Sequence, residues 1–186
     1  MKDFQLHSND DLTFQIRNSG VKSWKDLIDT VKRIKYGRTS KRSDLELVWT
    51  EQKGTCSSKH AFLKKVADLN KIPNVKLMLC MFKMNTVNTP SIGNALDGQP
   101  ITYNPEAHCY LSIEEENIDI TSSKSSFSKI KDDIIKEIEI VPEQVFQFKI
   151  DYHKDFLKKW ILKEKCNLSF DQVWIIREKC IENMSK

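Results

Sequence analysis

The chain has 186 residues, of which 39% are hydrophobic and 30% charged, and this composition excludes an intrinsically disordered protein. Its 30 basic and 26 acidic residues are interspersed and leave a net charge of +4, which is too small to indicate a nucleic-acid or membrane partner. No apolar segment is long enough to span a bilayer, and the N-terminus lacks the hydrophobic run of a signal peptide. We therefore expect a cytoplasmic protein with neither kind of partner.

The cysteine pattern argues against cross-links and metal. The five cysteines form no C-x-x-C pair, and their odd number does not suit a disulfide framework or a zinc finger. They lie at positions 56, 80, 109, 166 and 180. We expect reduced thiols and no metal or cofactor.

The first third of the chain predicts helices. Residues 1–22 carry little pattern, and then Ser23 caps an apolar stripe that ends at Gly37. A shorter helical pattern begins at Ser43 and ends at Gly54. A third helix begins near Cys56 and ends before Pro73.

Strands follow, and then helices return. Apolar, β-compatible runs at 74–85, 108–113, 118–121 and 137–141 predict strands, while residues 85–106 carry turn signals and predict a long loop. Residues 152–165 and 168–184 predict two amphipathic helices. This order indicates the α+β class. We expect one domain over residues 1–186, with a core at about 36–150 and C-terminal helices at 151–186.

One cysteine stands where a thiol would be activated. Cys56 lies at the predicted start of a helix, and a helix N-terminus lowers the pKa of a thiol, as does a neighbouring imidazolium. His108 begins one predicted strand, and Asp119 lies on the next, across a short turn. Neighbouring strands are about 5 Å apart, so these two side chains can face each other while Cys109 points to the opposite face.

The other histidines are weaker candidates for a catalytic base. His7 and His153 lie in poorly patterned or strongly charged surroundings, and His60 shares a helix face with Cys56 rather than lying across a cleft from it. Cys56, His60 and His108 could hold a metal, but no further ligand pair supports such a site.

A family resemblance joins these residues. The run YGRTSKRSDLELVWTEQKGTCSSKHAFL, followed by AHCYL and IDIT, resembles the transglutaminase-like superfamily over about residues 36–121. That family has a papain-like core, in which a helix carrying the nucleophile packs on an antiparallel sheet, and its ordered Cys, His and Asp correspond to Cys56, His108 and Asp119. Many members have proline after the aspartate, where this chain has Ile120.

The resemblance implies acyl chemistry at amides through a thioester on Cys56. His108 would protonate the departing amine, and Asp119 would orient the imidazole and stabilise its charged form. The oxyanion would be held by the backbone N–H of Cys56 and by a side chain from the preceding segment, for which Gln52 and Trp49 are the candidates. No cofactor is implied, and the partner would be a peptide or protein amide.

Two alternatives stay open. One is an acyltransferase such as an arylamine N-acetyltransferase-like enzyme using the same triad, and the other is a catalytically silent module that binds a peptide in the same cleft. Hydrolysis is favoured over crosslinking because nothing in the sequence suggests a dedicated amine site. The substrate and the oligomeric state are not determined by the sequence.

Overall fold

A computed structural model describes residues 1–184 and has the α+β class that the sequence predicts. Its centre is a four-stranded antiparallel sheet of β3 (Val75–Met84), β4 (Asn104–Ile113), β5 (Glu116–Ile118) and β6 (Ile134–Ile140), in the order β5-β4-β3-β6. The two central strands, β3 and β4, pair over ten residues each. Strand β4 is almost wholly buried and β3 is mostly buried, and the buried positions of β3 are apolar, whereas β4 also buries the polar residues Asn104, Glu106 and His108.

Helices cover both faces of this sheet. The helices are α1 (Asp11–Asn18), α2 (Trp24–Arg33), α3 (Leu47–Thr50), α4 (Cys56–Leu69), α5 (Gln147–Lys163) and α6 (Phe170–Met184). The apolar residues of α1, α2 and α4 belong to one hydrophobic cluster with one face of the sheet, and those of α5 and α6 belong mainly to a second cluster on the other face. The sheet therefore separates two apolar layers. The last two residues of the predicted C-terminal helical region, 185–186, lie outside the described residues.

Two N-terminal elements differ from the sequence prediction. Helix α1 lies in a region that has little hydrophobic pattern, and its start is fixed by the Asp10 side chain, which accepts a hydrogen bond from the Thr13 backbone. The helix predicted from Ser43 to Gly54 is reduced to the single turn of α3. Here the Asp44 side chain accepts from the Glu46 backbone, and such local bonds compete with a helical backbone.

The segment before α4 is held by a small parallel pair. Strand β1 (Lys35–Tyr36) pairs with β2 (Lys53–Gly54), and the Gly37 N–H donates to the Gly54 carbonyl. This pairing places Tyr36 beside the start of α4. Among the described residues, no helix is long and apolar enough to cross a membrane.

Gly54 is required by a close approach of side chains. A Cβ atom at this position would lie 2.8 Å from Cγ of Lys59 and 3.2 Å from Oγ of Ser58. Lys59 cannot yield easily, because it is fully buried and its Nζ donates to the carbonyl oxygens of Ile34 and Thr121. A side chain at position 54 would therefore push the beginning of α4, and Cys56 with it, out of place.

We expect Gly54→Ala to lower the free energy of unfolding by about 1–3 kcal/mol, the usual cost of overpacking. Urea denaturation measures this change, and the exposed neighbour substitution Lys53→Ala, expected to change stability by less than about 0.5 kcal/mol, is the control. Equal stability of Gly54→Ala and the unmodified protein would contradict the tight packing.

Candidate active site

Cys56 is the first residue of helix α4. Thr55 is the N-cap, and it forms a capping box with Ser58, in which each side chain accepts a hydrogen bond from the other residue's backbone N–H. The helix start is therefore fixed by two reciprocal hydrogen bonds. The free backbone N–H groups of the first turn point toward the same end of the helix as the thiol, which favours negative charge there.

His108 and Asp119 meet beside this helix end. His108 lies on β4, Asp119 immediately follows β5, and Nε2 of His108 is 3.2 Å from Oδ2 of Asp119. This contact is an ion pair, although Nε2 has no well-aligned hydrogen-bond partner. The other carboxylate oxygen, Oδ1, accepts from the backbone N–H and the hydroxyl of Thr121. Asp119 is thus held by Thr121 with one oxygen directed at the imidazole.

The three predicted side chains form one electrostatic unit. Burial raises the pKa of the Cys56 thiol, but the positive charges of Lys149 and His108 outweigh it and lower the pKa to about 6. Burial lowers the pKa of His108, but Asp119 and Cys56 raise it to about 10. The site therefore holds a thiolate and an imidazolium near pH 7.

His60 has a structural position in this site. Its Nδ1 lies 2.6 Å from the Cys56 carbonyl oxygen, and its Nε2 accepts from the Ile120 backbone N–H at 2.9 Å. Both bonds require a neutral ring that carries its proton on Nδ1, and burial lowers the pKa of His60 to about 4. His60 thereby ties the nucleophile helix to the segment that carries Asp119.

The His60 bond also accounts for Ile120. Proline has no backbone N–H, so proline at position 120 could not donate to His60. In this chain the residue after the aspartate makes a hydrogen bond that the proline found in many transglutaminase-like proteins cannot make. Because both nitrogens of His60 are engaged, His60 is also not free to bind a metal. No group of three or more potential ligands is placed to hold one within residues 1–184.

Lys149 is a second cation at the thiol, and it comes from helix α5. Its side chain is only 9% exposed, and Nζ donates to Oγ of Ser57 at 2.6 Å and lies 3.9 Å from Sγ of Cys56. Burial lowers the pKa of Lys149, but Cys56 and other nearby anions raise it above its ordinary value. Lys149 therefore stays protonated and stabilises the thiolate independently of His108.

A buried ion pair lies next to Lys149. Arg177 on α6 donates from Nε and from one terminal nitrogen to the two oxygens of Glu106, both at 2.8 Å. Burial raises the pKa of Glu106, but Arg177 outweighs it and lowers the pKa to about 2. Nearby, Nε2 of His153 contacts the Pro105 carbonyl oxygen at 2.9 Å. These contacts anchor α5 and α6 to β4.

Cys56 lies where two cavities meet. The first, of about 270 Å³, is bordered by Lys149, Arg177 and other basic residues, and we call it the cationic cavity. The second, of about 510 Å³, is bordered by His108 and Asp119 and by the serine-rich segment 121–126, and we call it the histidine cavity. Tyr36, Cys56 and Glu106 border both. The Cys56 thiol is thus reached from two sides that differ in chemistry.

The two predicted oxyanion side chains are not in this cleft. Gln52 donates to the Trp49 carbonyl oxygen and is exposed, and Trp49 stacks on Phe62 with ring centroids 6.1 Å apart. Neither residue borders either cavity. Tyr36, which the sequence does not mark, stands at the cleft instead, where burial raises the pKa of its hydroxyl and keeps it a hydrogen-bond donor.

Sequence patterns could not reveal Lys149. It belongs to a helix rich in lysine, and the lysines of such a helix are ordinarily solvated. The available signal is position: Lys149 and His153 are four residues apart, on the face of α5 that is buried against the sheet.

Cys109, which the sequence predicts to face the core, is fully buried, with Sγ 3.9 Å from Oγ of Ser57.

No family model, curated protein or solved structure matches this chain.

We expect Cys56 to be the first cysteine alkylated by iodoacetamide, with a rate that is half-maximal near pH 6, because two cations stabilise its thiolate. His108→Ala should raise this midpoint only part of the way to the ordinary thiol pKa of about 8.5, since Lys149 remains. Labelling rates measured by peptide mass between pH 5 and 9 test both statements. A Cys56 that labels no faster than Cys166 would contradict them.

Lys149→Met should raise the pH at which alkylation of Cys56 is half-maximal by about one unit, because it removes one of the two cations while keeping most of the length of an unbranched side chain. Lys158→Met, on the exposed side of the same helix, is the matched control and should leave the midpoint unchanged. If both variants titrate like the unmodified protein, Lys149 does not stabilise the thiolate.

The two buried histidines predict opposite pH dependences of stability. The pKa of His60 is lowered on folding, so its contribution is present above about pH 6.5 and is lost as the pH falls toward 4. The pKa of His108 is raised, so its contribution is present below about pH 6.5 and is lost as the pH rises toward 10. Urea denaturation of His60→Gln should show a weaker loss of stability between pH 6.5 and 4 than the unmodified protein. An identical slope for the two proteins over this range would contradict the neutral, buried state of His60.

Proposed function

We propose that the protein is a thiol-dependent enzyme that acts on amide bonds through a thioester on Cys56. The observation that carries this proposal is the placement of Cys56 at a helix start, of His108 close enough to lower the pKa of its thiol, and of the Asp119 carboxylate 3.2 Å from the His108 imidazole. The helix carrying Cys56 packs on the antiparallel sheet that carries His108, which supports a papain-like, transglutaminase-like core.

The first half-reaction uses the resting ion pair. The Cys56 thiolate attacks the carbonyl carbon of the amide, and the electrons of the carbonyl double bond move to oxygen. The resulting oxyanion forms beside the first turn of α4, where backbone N–H groups without intrahelical partners can stabilise it. Tyr36 is the nearest side-chain candidate for a further donor, since it borders both cavities.

Collapse of this adduct needs a proton for the departing amine. The His108 imidazolium supplies it, the carbon–nitrogen bond breaks, and the thioester remains on Cys56. Asp119 stabilises the imidazolium before the transfer and holds the ring afterwards, when neutral His108 takes a proton from an attacking water. Hydrolysis then releases a carboxylic acid and regenerates the thiolate.

A silent binding module is less well supported by the same geometry. Burying a thiolate, an imidazolium and a lysine cation together costs free energy through desolvation, and a module that only binds a peptide does not need that arrangement. The acyltransferase alternative shares every step up to the thioester. It differs only in whether an amine or water accepts the acyl group.

We expect the purified protein to release p-nitrophenol from p-nitrophenyl acetate with a burst of about one equivalent, because acylation of an activated ester is faster than deacylation. Intact-protein mass should show one acetyl group, on Cys56. Cys56→Ser should abolish the burst, and His108→Ala should slow turnover of a peptide anilide by about 10²–10⁴-fold.

The pH profile provides the control on mechanism. With the thiol pKa at about 6 and the imidazolium pKa at about 10, kcat/KM for a peptide anilide should be bell-shaped with limbs near these two values. Acylation spread over several lysines or cysteines, with no dependence on Cys56, would reject the proposed function.

A further inference from the structure

The two cavities beside Cys56 differ in their excess of positive charge when the shared Cys56 is left out of the count. In the histidine cavity, Lys124, Lys129 and the His108 imidazolium stand against Glu106 and Asp119, an excess of one. Five basic residues and two acidic residues border the cationic cavity, which leaves three positive charges in excess: Arg38, Arg42, Lys149, Lys154 and Arg177 against Glu106 and Glu178. Both acids are already paired. Arg177 bonds to Glu106 and Glu178, and Arg38 lies 3.4 Å from Glu178.

Three of the five cations, Arg42, Lys149 and Lys154, are therefore not paired with a carboxylate in the described part of the chain. Neither Arg42 nor Lys154 takes part in an ion pair within residues 1–184, and Lys154 lies over the Trp174 ring at 5.5 Å. Among residues 1–184, the close polar partners of Lys149 are the Cys56 sulfur and the neutral Ser57 hydroxyl. The excess positive charge beside Cys56 is therefore balanced only in part, by the thiolate itself, and Arg42 and Lys154 have no anion within ion-pair distance in this part of the chain.

The chemistry of the thiol reaction assigns this cavity to one half of the substrate. His108 must reach the nitrogen of the leaving amine, so the amine lies on the side of Cys56 that His108 borders, in the histidine cavity. His108 does not border the cationic cavity. The acyl half of the substrate, which stays attached to Cys56, therefore points into the cationic cavity.

Acylation changes the charge around Lys149. The thiolate is negative, but the thioester is neutral, so formation of the acyl-enzyme removes the anion that lies 3.9 Å from the buried ammonium. A buried charge that has lost its partner is strongly unfavourable. An acyl group that brings its own anion would restore the balance and would also meet Arg42 and Lys154 at the open side of the cavity.

We propose that the substrates are amides whose acyl half carries a carboxylate a few carbon atoms from the reacting carbonyl, held in the cationic cavity by Lys149, Arg42 and Lys154. This inference rests on the proposed function and adds the substrate class to it. The volume of about 270 Å³ accommodates a short dicarboxylic acyl group, such as a succinyl group or an acidic amino-acid residue.

Two small aldehydes can test whether a carboxylate on the acyl side strengthens binding at Cys56. The thiolate adds to an aldehyde carbon, the carbonyl electrons move to oxygen, and His108 protonates that oxygen to give a reversible hemithioacetal. Only hydrogen occupies the place of the leaving amine, so the alkyl group must take the acyl side. Succinic semialdehyde and butanal differ only in having a carboxylate or a methyl group at the far end.

The experiment measures protection of Cys56 against iodoacetamide by each aldehyde at pH 7.5. The unmodified protein should bind succinic semialdehyde at least about tenfold more tightly than butanal, because one carboxylate meets several cations, and salt should reduce this preference. The variant Arg42→Gln/Lys154→Gln leaves Lys149 and the triad intact and should reduce the preference at least threefold.

A matched control removes the same net charge elsewhere. Arg33→Gln/Lys158→Gln changes two exposed cations that border neither cavity, and Lys158 lies over the Phe170 ring at 5.6 Å, much as Lys154 lies over Trp174. This variant should keep the full preference. An equal fall in both double variants would show a general charge effect and would overturn the assignment to the cationic cavity.

The remaining outcomes separate the two proposals. Equal protection by both aldehydes, with Cys56 still the most reactive cysteine, overturns the anionic substrate class and leaves the thiol mechanism standing. A Cys56 that is protected by neither aldehyde and labels no faster than Cys166 rejects the thiol mechanism, and the substrate class falls with it.

Discussion

The site depends on the compensation of buried charge around one sulfur atom. Desolvation by itself would keep the Cys56 thiol protonated, and it would keep His108 neutral. Neither happens, because thiolate, imidazolium and carboxylate alternate in sign along a line from helix α4 to the end of β5, with Lys149 added on the other side of the sulfur. Each buried charge is stabilised only while its oppositely charged neighbours are in place. A shift of any one of these side chains would therefore destabilise the charged state of the others.

The geometry of the cleft is held by contacts that link helix α4 to the segments around it. His60 joins the Cys56 carbonyl to the Ile120 N–H, and Lys59 joins the Ile34 and Thr121 carbonyls across the same helix. Thr121 in turn holds Asp119. Two buried residues of α4, Lys59 and His60, thus help to fix the position of Cys56 relative to the segment that carries Asp119.

Charge also distinguishes the two ends of the cleft. In the proposed reaction, the imidazolium and a hydroxyl-rich segment border the cavity assigned to the departing amine. Lys149 and Lys154 of α5, together with Arg42 from the segment before α3, border the cavity assigned to the acyl group. Of these three cations only Arg42 lies within residues 36–121, so under the proposal most of the substrate-binding charge comes from a different part of the chain than Cys56. Such a division would let one chemical mechanism serve different substrates.

Local patterns determined a large part of this protein. The alternation of helix and strand signals predicted the α+β class, strand β3, the second part of β4, and helices α2, α4, α5 and α6, because periodicity and capping are properties of short segments. The first residues of β4, 104–106, lie in the predicted loop, and α5 begins at Gln147, before its predicted start at residue 152. The hairpin spacing between His108 and Asp119 predicted their meeting, since neighbouring strands bring residues across a turn to within contact.

Only the tertiary structure decided the rest. Helix α1 depends on its Asp10 cap and its packing, and α3 is shortened because local side-chain bonds compete with the helix. Gln52 and Trp49 turn away from the cleft, which no sequence spacing could show. Lys149 reaches Cys56 from 93 positions along the chain, and its one local signal is its four-residue spacing from His153 on the buried face of α5. Electrostatic partners that are distant in sequence become visible only when the packing of α5 against β4 brings them to the same sulfur.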